Sequence, residues 1–147
     1  MELIDIGSLM ESKQIFFKKG YEYQLTRNLI VDTGITGYLI EDDYITLLKN
    51  GLMILHRGYA WDGASCFPDF DWIIRGSCGH DGGYQLIRRG LLPMRYRVVF
   101  DALLGKHCVQ DGTIKFVAAG VRIAVNRFGA RAVAINSGNP ELCAPKI

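Results

Sequence analysis

Long apolar runs are missing from this sequence: none reaches the roughly 18 residues that a bilayer-spanning helix needs, so no membrane span is expected. An excess of one charge is missing too. Seventeen Lys and Arg against 15 Asp and Glu leave a net charge of +2 over 147 residues, which removes the global electrostatic case for a nucleic-acid partner. The first residues, MELIDIGSLMESK, lack the basic-then-apolar order of a secretory signal, so cytosolic synthesis is the expectation. No C-x-x-C pair occurs among the four cysteines, Cys66, Cys78, Cys108 and Cys143. Their irregular spacing predicts free buried thiols in place of an intrachain disulfide framework, with disulfides or zinc as the alternatives. What is there is an ordinary globular composition, 49% hydrophobic and 22% charged. At this length it predicts a single domain over residues 1–147 that can bury a real core.

Two hydrophobic periods divide the chain. Residues 13–35, KQIFFKKGYEYQLTRNLIVDTGI, are rich in aromatic and β-branched residues and broken by turn signals at Lys19-Gly20 and Thr33-Gly34. Asn50-Gly51, between YITLL and LMILH, fits the positive φ angles of a type I′ hairpin turn. After GASCFPDF the spacing becomes helical, over about Phe70–Arg89, Arg95–Val109 and Thr113–Phe128, with Pro93 separating the first two and Gly129 placed as a helix stop. In the third stretch Ile114, Val117, Val121, Ala124 and Phe128 share one face. The expected fold is therefore α+β: a small antiparallel β-sheet in residues 1–60, three packed helices in 70–130, and an irregular tail in 131–147.

The stretch RGSCGHDGGY, residues 75–84, sets four glycines around an adjacent His80–Asp81 pair. On a helix Gly76, Gly79 and Gly83 form a smooth stripe that lets another backbone come close, at about 1 kcal/mol of helix propensity per glycine. No phosphate loop is present, neither G-x-G-x-x-G nor a G-K-S/T ending. His80 and Tyr84 share one face, and Arg97 and Asp101 share another on the next helix. The two helices are joined by a short turn near Gly90–Pro93, which predicts an antiparallel pair with His80, Asp81 and Asp101 near one another. One imidazole and two carboxylates can hold a divalent metal with open positions, or act as a base and its orienter. The competing reading is a buried ion-pair network between Asp101 and Arg88, Arg89 or Arg97. Asp62, in YAWDGASCFP, stands at a strand end, either as the cap of an irregular segment or as a further carboxylate of the site. Cys78 with His80, and His107 with Cys108, match no standard zinc spacing. The order His56, His80-Asp81, Asp101 follows that of HD-type phosphohydrolases, but His56 ends an expected strand where that fold uses a helix.

The pieces WDGASCFP, GSCGHDGGYQLIRRG, RVVFDALL and VRIAVNRFGA, in that order from about Tyr59 to Ala130, resemble the phage and prophage family known as domain of unknown function 1353. Its members carry a T-D-x-A-S-x-P stretch, an H-D-x-x-Y helix, an R-x-x-A-D helix and a closing helix ending in an R-x-x-G-like turn. The shared polar positions are Asp62, Ser65, His80, Asp81, Tyr84, Arg97 and Asp101. The departures are Trp61 where the family often has Thr, Phe100 where Ala is common, and Gly82-Gly83 in place of bulkier residues. The family has no settled activity. The resemblance implies a phage-borne protein, at work in the host cytoplasm or associated with the virion, with other phage proteins or a host factor as partners. Two functional expectations follow. In one, the chain is a metal-dependent hydrolase: His80 and Asp101 ligate a divalent metal, Asp81 ligates or orients, Asp62 assists, and Tyr84 or an arginine stabilises developing negative charge. In the other, it is a non-enzymatic virion- or tail-associated protein or host-factor binder, and the His–Asp cluster is a structural network.

Overall fold

Alternation in the first half produces strands that bury one face. The computed structural model describes residues 9–20, 22–63, 68 and 70–135. In it β2 (Tyr23–Leu25) and β5 (Ile45–Leu47) each bury their first and last side chains and leave the middle one half-exposed, the period-2 pattern of a sheet with one packed face. The other strands are β1 (Phe17–Lys19), β3 (Leu29–Asp32), β4 (Ile40–Glu41), β6 (Leu52–Leu55) and β7 (Ala60–Trp61). They form two antiparallel sheets, ordered β1-β2-β7 and β3-β6-β5-β4, where one was expected. The backbone joins them at Leu25, whose N–H donates to the Tyr59 carbonyl and whose carbonyl accepts from Gly58 N–H, both at 2.9 Å. Tyr59 lies between β6 and β7, so the chain leaves one sheet and enters the other there.

The expected hairpin is present, with a different turn. Leu47 pairs with Met53, Gly51 N–H donates to the Leu48 carbonyl at 3.0 Å, and only Gly51 takes a positive φ, +95°. This is a three-residue connection, a type I turn closed by a left-handed glycine, and not the two-residue type I′ form. Asn50 contributes through its side chain, accepting from Leu52 N–H at 3.1 Å.

The helical half follows as α1 (Asp71–Arg88), α2 (Arg97–Gln110, entered through a 3-10 turn at Met94–Tyr96) and α3 (Lys115–Ile135). Two of their ends are set by local chemistry. Gly90 at φ +73° and Gly112 at φ +122° close α1 and α2. At each the last carbonyls are satisfied in pairs, Leu91 to Leu86 and Gly90 to Ile87, then Thr113 to Cys108 and Gly112 to Val109. Gly129 does not stop α3, which runs on to Ile135, so residues 131–135 are helix and not irregular tail. A Cβ at Gly129 would overlap the Tyr84 hydroxyl, so the glycine serves a contact between helices.

α1 is the central element, with the sheets on one side and α2 on the other. The main core joins Tyr23, Leu25, Leu29, Val31, Ile45, Leu47, Met53, Leu55, Tyr59 and Trp61 to Ile74, Cys78, Leu86 and Ile87 of α1 and Phe100 of α2. A smaller cluster, Ile73, Leu104, Cys108, Ala118 and Val121, lies among the three helices. The glycines thin α1 on both sides. A Cβ at Gly79 would come 3.3 Å from Val31 and one at Gly82 2.6 Å from Leu55, on the sheet side. One at Gly76 would come 2.9 Å from Leu104, and one at Gly83 would overlap the Phe100 ring, on the α2 side. The expected stripe of Gly76, Gly79 and Gly83 is thus two stripes, with Gly79 belonging to the sheet. On α3 the packed residues are Ala118, Val121 and Val125, whereas Ile114 and Val117 are exposed. The packed face keeps Val121 and is rotated by about 50° from the one the apolar spacing predicts.

Candidate functional site

α1 presents His80 and Tyr84, one turn apart, to α2, which presents Arg97 and Asp101, also one turn apart. Asp101 is 1% exposed and receives three donors. Its Oδ1 takes His80 Nε2 at 2.8 Å and the Tyr84 hydroxyl at 2.6 Å, while Oδ2 takes Arg97 Nη1 at 3.3 Å. The same Arg97 nitrogen donates to the Asn126 carbonyl of α3 at 2.8 Å. A carboxylate only accepts, so the proton shared with the imidazole sits on His80 Nε2. The His80 and Tyr84 rings lie against each other at 4.1 Å between centroids, and the His80 side chain keeps 15% exposure. Burial, and then the hydrogen bond to Asp101, push the Tyr84 phenol well above its ordinary range, which keeps it a donor.

Asp81 is one residue further along α1, about 100° round the helix, and belongs to a different contact. It accepts from the Tyr59 hydroxyl at 2.6 Å, tying α1 to the chain between the sheets. Burial raises the Tyr59 phenol far above its usual value, and the Asp81 charge adds to that. Beside it, Trp61 Nε1 donates to Ser77 Oγ at 3.0 Å. Burial and Asp81 likewise raise the Cys78 thiol.

Of the four expected site residues, His80 and Asp101 are brought into contact and Asp81 turns away from them. Asp62 is exposed just after β7, and among the described residues no hydrogen bond joins it to the other three. The expected metal set of His80, Asp81 and Asp101 is not formed, and no group of three His, Cys, Asp or Glu among the described residues is placed to hold a metal ion. The reason is helical geometry: neighbours on α1 cannot both face α2. Arg97 Nη1 stands 3.3 Å from Asp101 Oδ2, on the oxygen that His80 and Tyr84 leave open. Ser65, Cys66 and Cys143 lie outside the described residues; Cys78 and Cys108 are free and buried. What the pair can do chemically is limited to holding an imidazole in one tautomer beside a buried carboxylate, the geometry of a base with its orienter or of a rigid clamp.

A second polar cluster was not anticipated. Arg75, 3% exposed, lies between apolar neighbours of α1 and reaches the end of α2. Its Nε and Nη2 bind Asp111 at 2.9 Å each, Nη2 also binds Gln110 Oε1 at 2.9 Å, and Nη1 binds the Ser12 carbonyl at 2.9 Å. Next to it the buried His107 bonds Glu11 Oε1 at 3.1 Å. Burial, and then the Arg75 charge, lower the His107 pKa, against the opposing pull of Glu11. The cluster borders a cavity of about 360 Å³ lined by Glu11, Ser12, Lys13, Arg75, Gln110 and Asp111. Its partners are up to 96 positions apart in sequence. The one local signal was a charged residue on a helix face otherwise bound for the core.

Compared with known proteins, the chain matches no family model, no curated protein and no solved structure.

Proposed function

We propose that this chain is a non-enzymatic phage-associated protein, a component of the virion or tail or a binder of a host factor, in which the His80–Asp101 network is a structural clamp. The observation that carries the clamp is the state of Asp101: 1% exposed, with three donors on its two oxygens, one of them an arginine that also fastens α3. A carboxylate enclosed in this way is closed to solvent with three of its roughly four acceptor sites already used, and its hydrogen bonds reward one arrangement of three helices. The phage association rests on the resemblance of residues 59–130 to the prophage family. The host cytoplasm is the expected place of synthesis and the particle the expected destination.

The test is quantitative mass spectrometry of purified intact particles from a phage that encodes the chain. The chain present in many copies per particle supports a virion component. Its absence from particles, together with no host protein retained on the immobilised chain, would count against both forms of the proposal.

One observation favours the rival hydrolase. The 15% exposure of His80 leaves an imidazole edge reachable beside an orienting carboxylate, the pairing a general base requires. In that reading His80→Gln abolishes a hydrolytic activity while the fold persists. In the clamp reading it lowers stability and removes no turnover.

A further inference from the structure

We infer that the outward face of α3 is a docking surface for an anionic lipid bilayer, on which the helix lies flat without spanning it. This goes beyond the proposed function and does not depend on it. α3 packs on α2 through Ala118, Val121 and Val125. Directly opposite, at 100° per residue, stand Phe116, 85% exposed, and Ile123, 64% exposed, seven residues and two turns apart. Between them Ala119 and Gly120 keep the surface low, and a Cβ at Gly120 would meet nothing within 4 Å. Arg127 continues the same line one turn on, and Lys115 and Arg122 flank it about 100° round, Arg122 on the side that meets Gly105 of α2; all three are exposed.

The charge on this face has one sign. From Gly112 to Pro140 the sequence contains no Asp or Glu and four basic residues, Lys115, Arg122, Arg127 and Arg131, although the whole chain is near neutral. A solvated helix face normally mixes signs in i, i+4 pairs. Here apolar knobs sit among basic groups alone, the pattern of a helix that buries Phe and Ile below the headgroups and leaves Lys and Arg at the phosphates.

Charge complementarity decides the occupant. A second copy of the chain, paired face to face, would bring two helices whose charges are all basic together and be repelled. An acidic protein would satisfy the charge too, but it would have to offer a matched pocket to each anchor. Phe116 and Ile123 project as separate knobs two turns apart on one helix. A fluid surface closes around separate knobs at no such cost. Among the described residues no helix is long and apolar enough to cross a membrane, in keeping with a surface-bound helix.

The test is co-flotation of the full chain with vesicles of phosphatidylcholine containing phosphatidylglycerol, against vesicles of phosphatidylcholine alone. The expected result is binding to the anionic vesicles that weakens as salt is raised. Phe116→Asp and Ile123→Asp should each lower partitioning about tenfold, and Arg122→Gln and Arg127→Gln about fivefold each. Both apolar positions are exposed, so circular dichroism should show these variants folded as the wild type is. Failure of the wild-type chain to float with anionic vesicles would overturn the inference, as would equal flotation of Ile123→Asp. A concentration-dependent dimer in light scattering that Ile123→Asp dissolves would instead assign the face to a second copy.

Discussion

Replacing Asp101 by Asn keeps the side-chain volume and removes the charge that three donors address. Wild-type Oδ1 accepts from His80 and Tyr84 and Oδ2 from Arg97. An amide retains one accepting oxygen for the first two and turns an NH2 toward the guanidinium, so donor meets donor. Hydrogen bonds to a charged group contribute about 1.5–3 kcal/mol and neutral ones about 1 kcal/mol. Converting two bonds to neutral ones and losing the third therefore costs at least about 2.5 kcal/mol by those values. Asp101→Ala removes every acceptor and leaves Arg97 charged and largely enclosed, for about 3–5 kcal/mol. A domain of this size holds roughly 5–15 kcal/mol in total, so both variants should fold, the alanine form near its threshold. Urea unfolding reads the difference as a lowered midpoint at unchanged slope. A double-mutant cycle of Asp101→Asn with Tyr84→Phe should show a coupling of about 0.5–3 kcal/mol. An Asp101→Asn midpoint within about 0.5 kcal/mol of wild type, the range of an ordinary surface change, would refute the clamp.

Three further outcomes are expected. The folded His107 pKa is lowered from 6.5, so above pH 6.5 folded and unfolded chains are both neutral there, whereas below it the unfolded chain gains a proton first. Stability should therefore fall as pH drops through that value and toward the folded pKa, and His107→Gln should flatten the fall in Tm between about pH 7.5 and about pH 5.5. His56, lowered by burial, acts with the same sign, so the comparison is best made again in a His56→Asn background. Gly120→Ala, into open space on α3, should stabilise by about 0.5–1 kcal/mol, while Gly83→Ala, into the Phe100 ring, should destabilise by about 1–3 kcal/mol in the same thermal scans. An equal response at the two glycines would remove the close-packing account of α1. Burial raises the Cys108 thiol to about 11 and holds the Cys78 thiol well above its ordinary value. Alkylation followed by peptide mass spectrometry should find both protected in the folded chain and labelled after unfolding.

The sequence by itself determined whatever depends on neighbours along the chain. The change of hydrophobic period separated strands from helices, Pro93 and the glycines marked the joints, and i, i+4 spacing put His80 over Tyr84 and Arg97 over Asp101. The short connection near Gly90 made α1 and α2 antiparallel, so the meeting of His80 with Asp101 was legible too. Tertiary structure decided which way each helix faces. Because α1 packs on both sides, His80 and Asp81 divide between α2 and Tyr59, and the glycines divide between Val31 and Leu55 on one side and Leu104 and Phe100 on the other. A period of 3.6 reports one apolar stripe, and a helix buried on two sides has no single stripe to report. The same limit hid the packed face of α3, where exposed Phe116 and Ile123 carry as much hydrophobic signal as buried Val121. The meeting of His107 with Glu11 was illegible because 96 positions separate them and no local pattern encodes that return; Arg75 and Asp111 meet across the α1–α2 pair, but nothing local shows that Arg75 is buried.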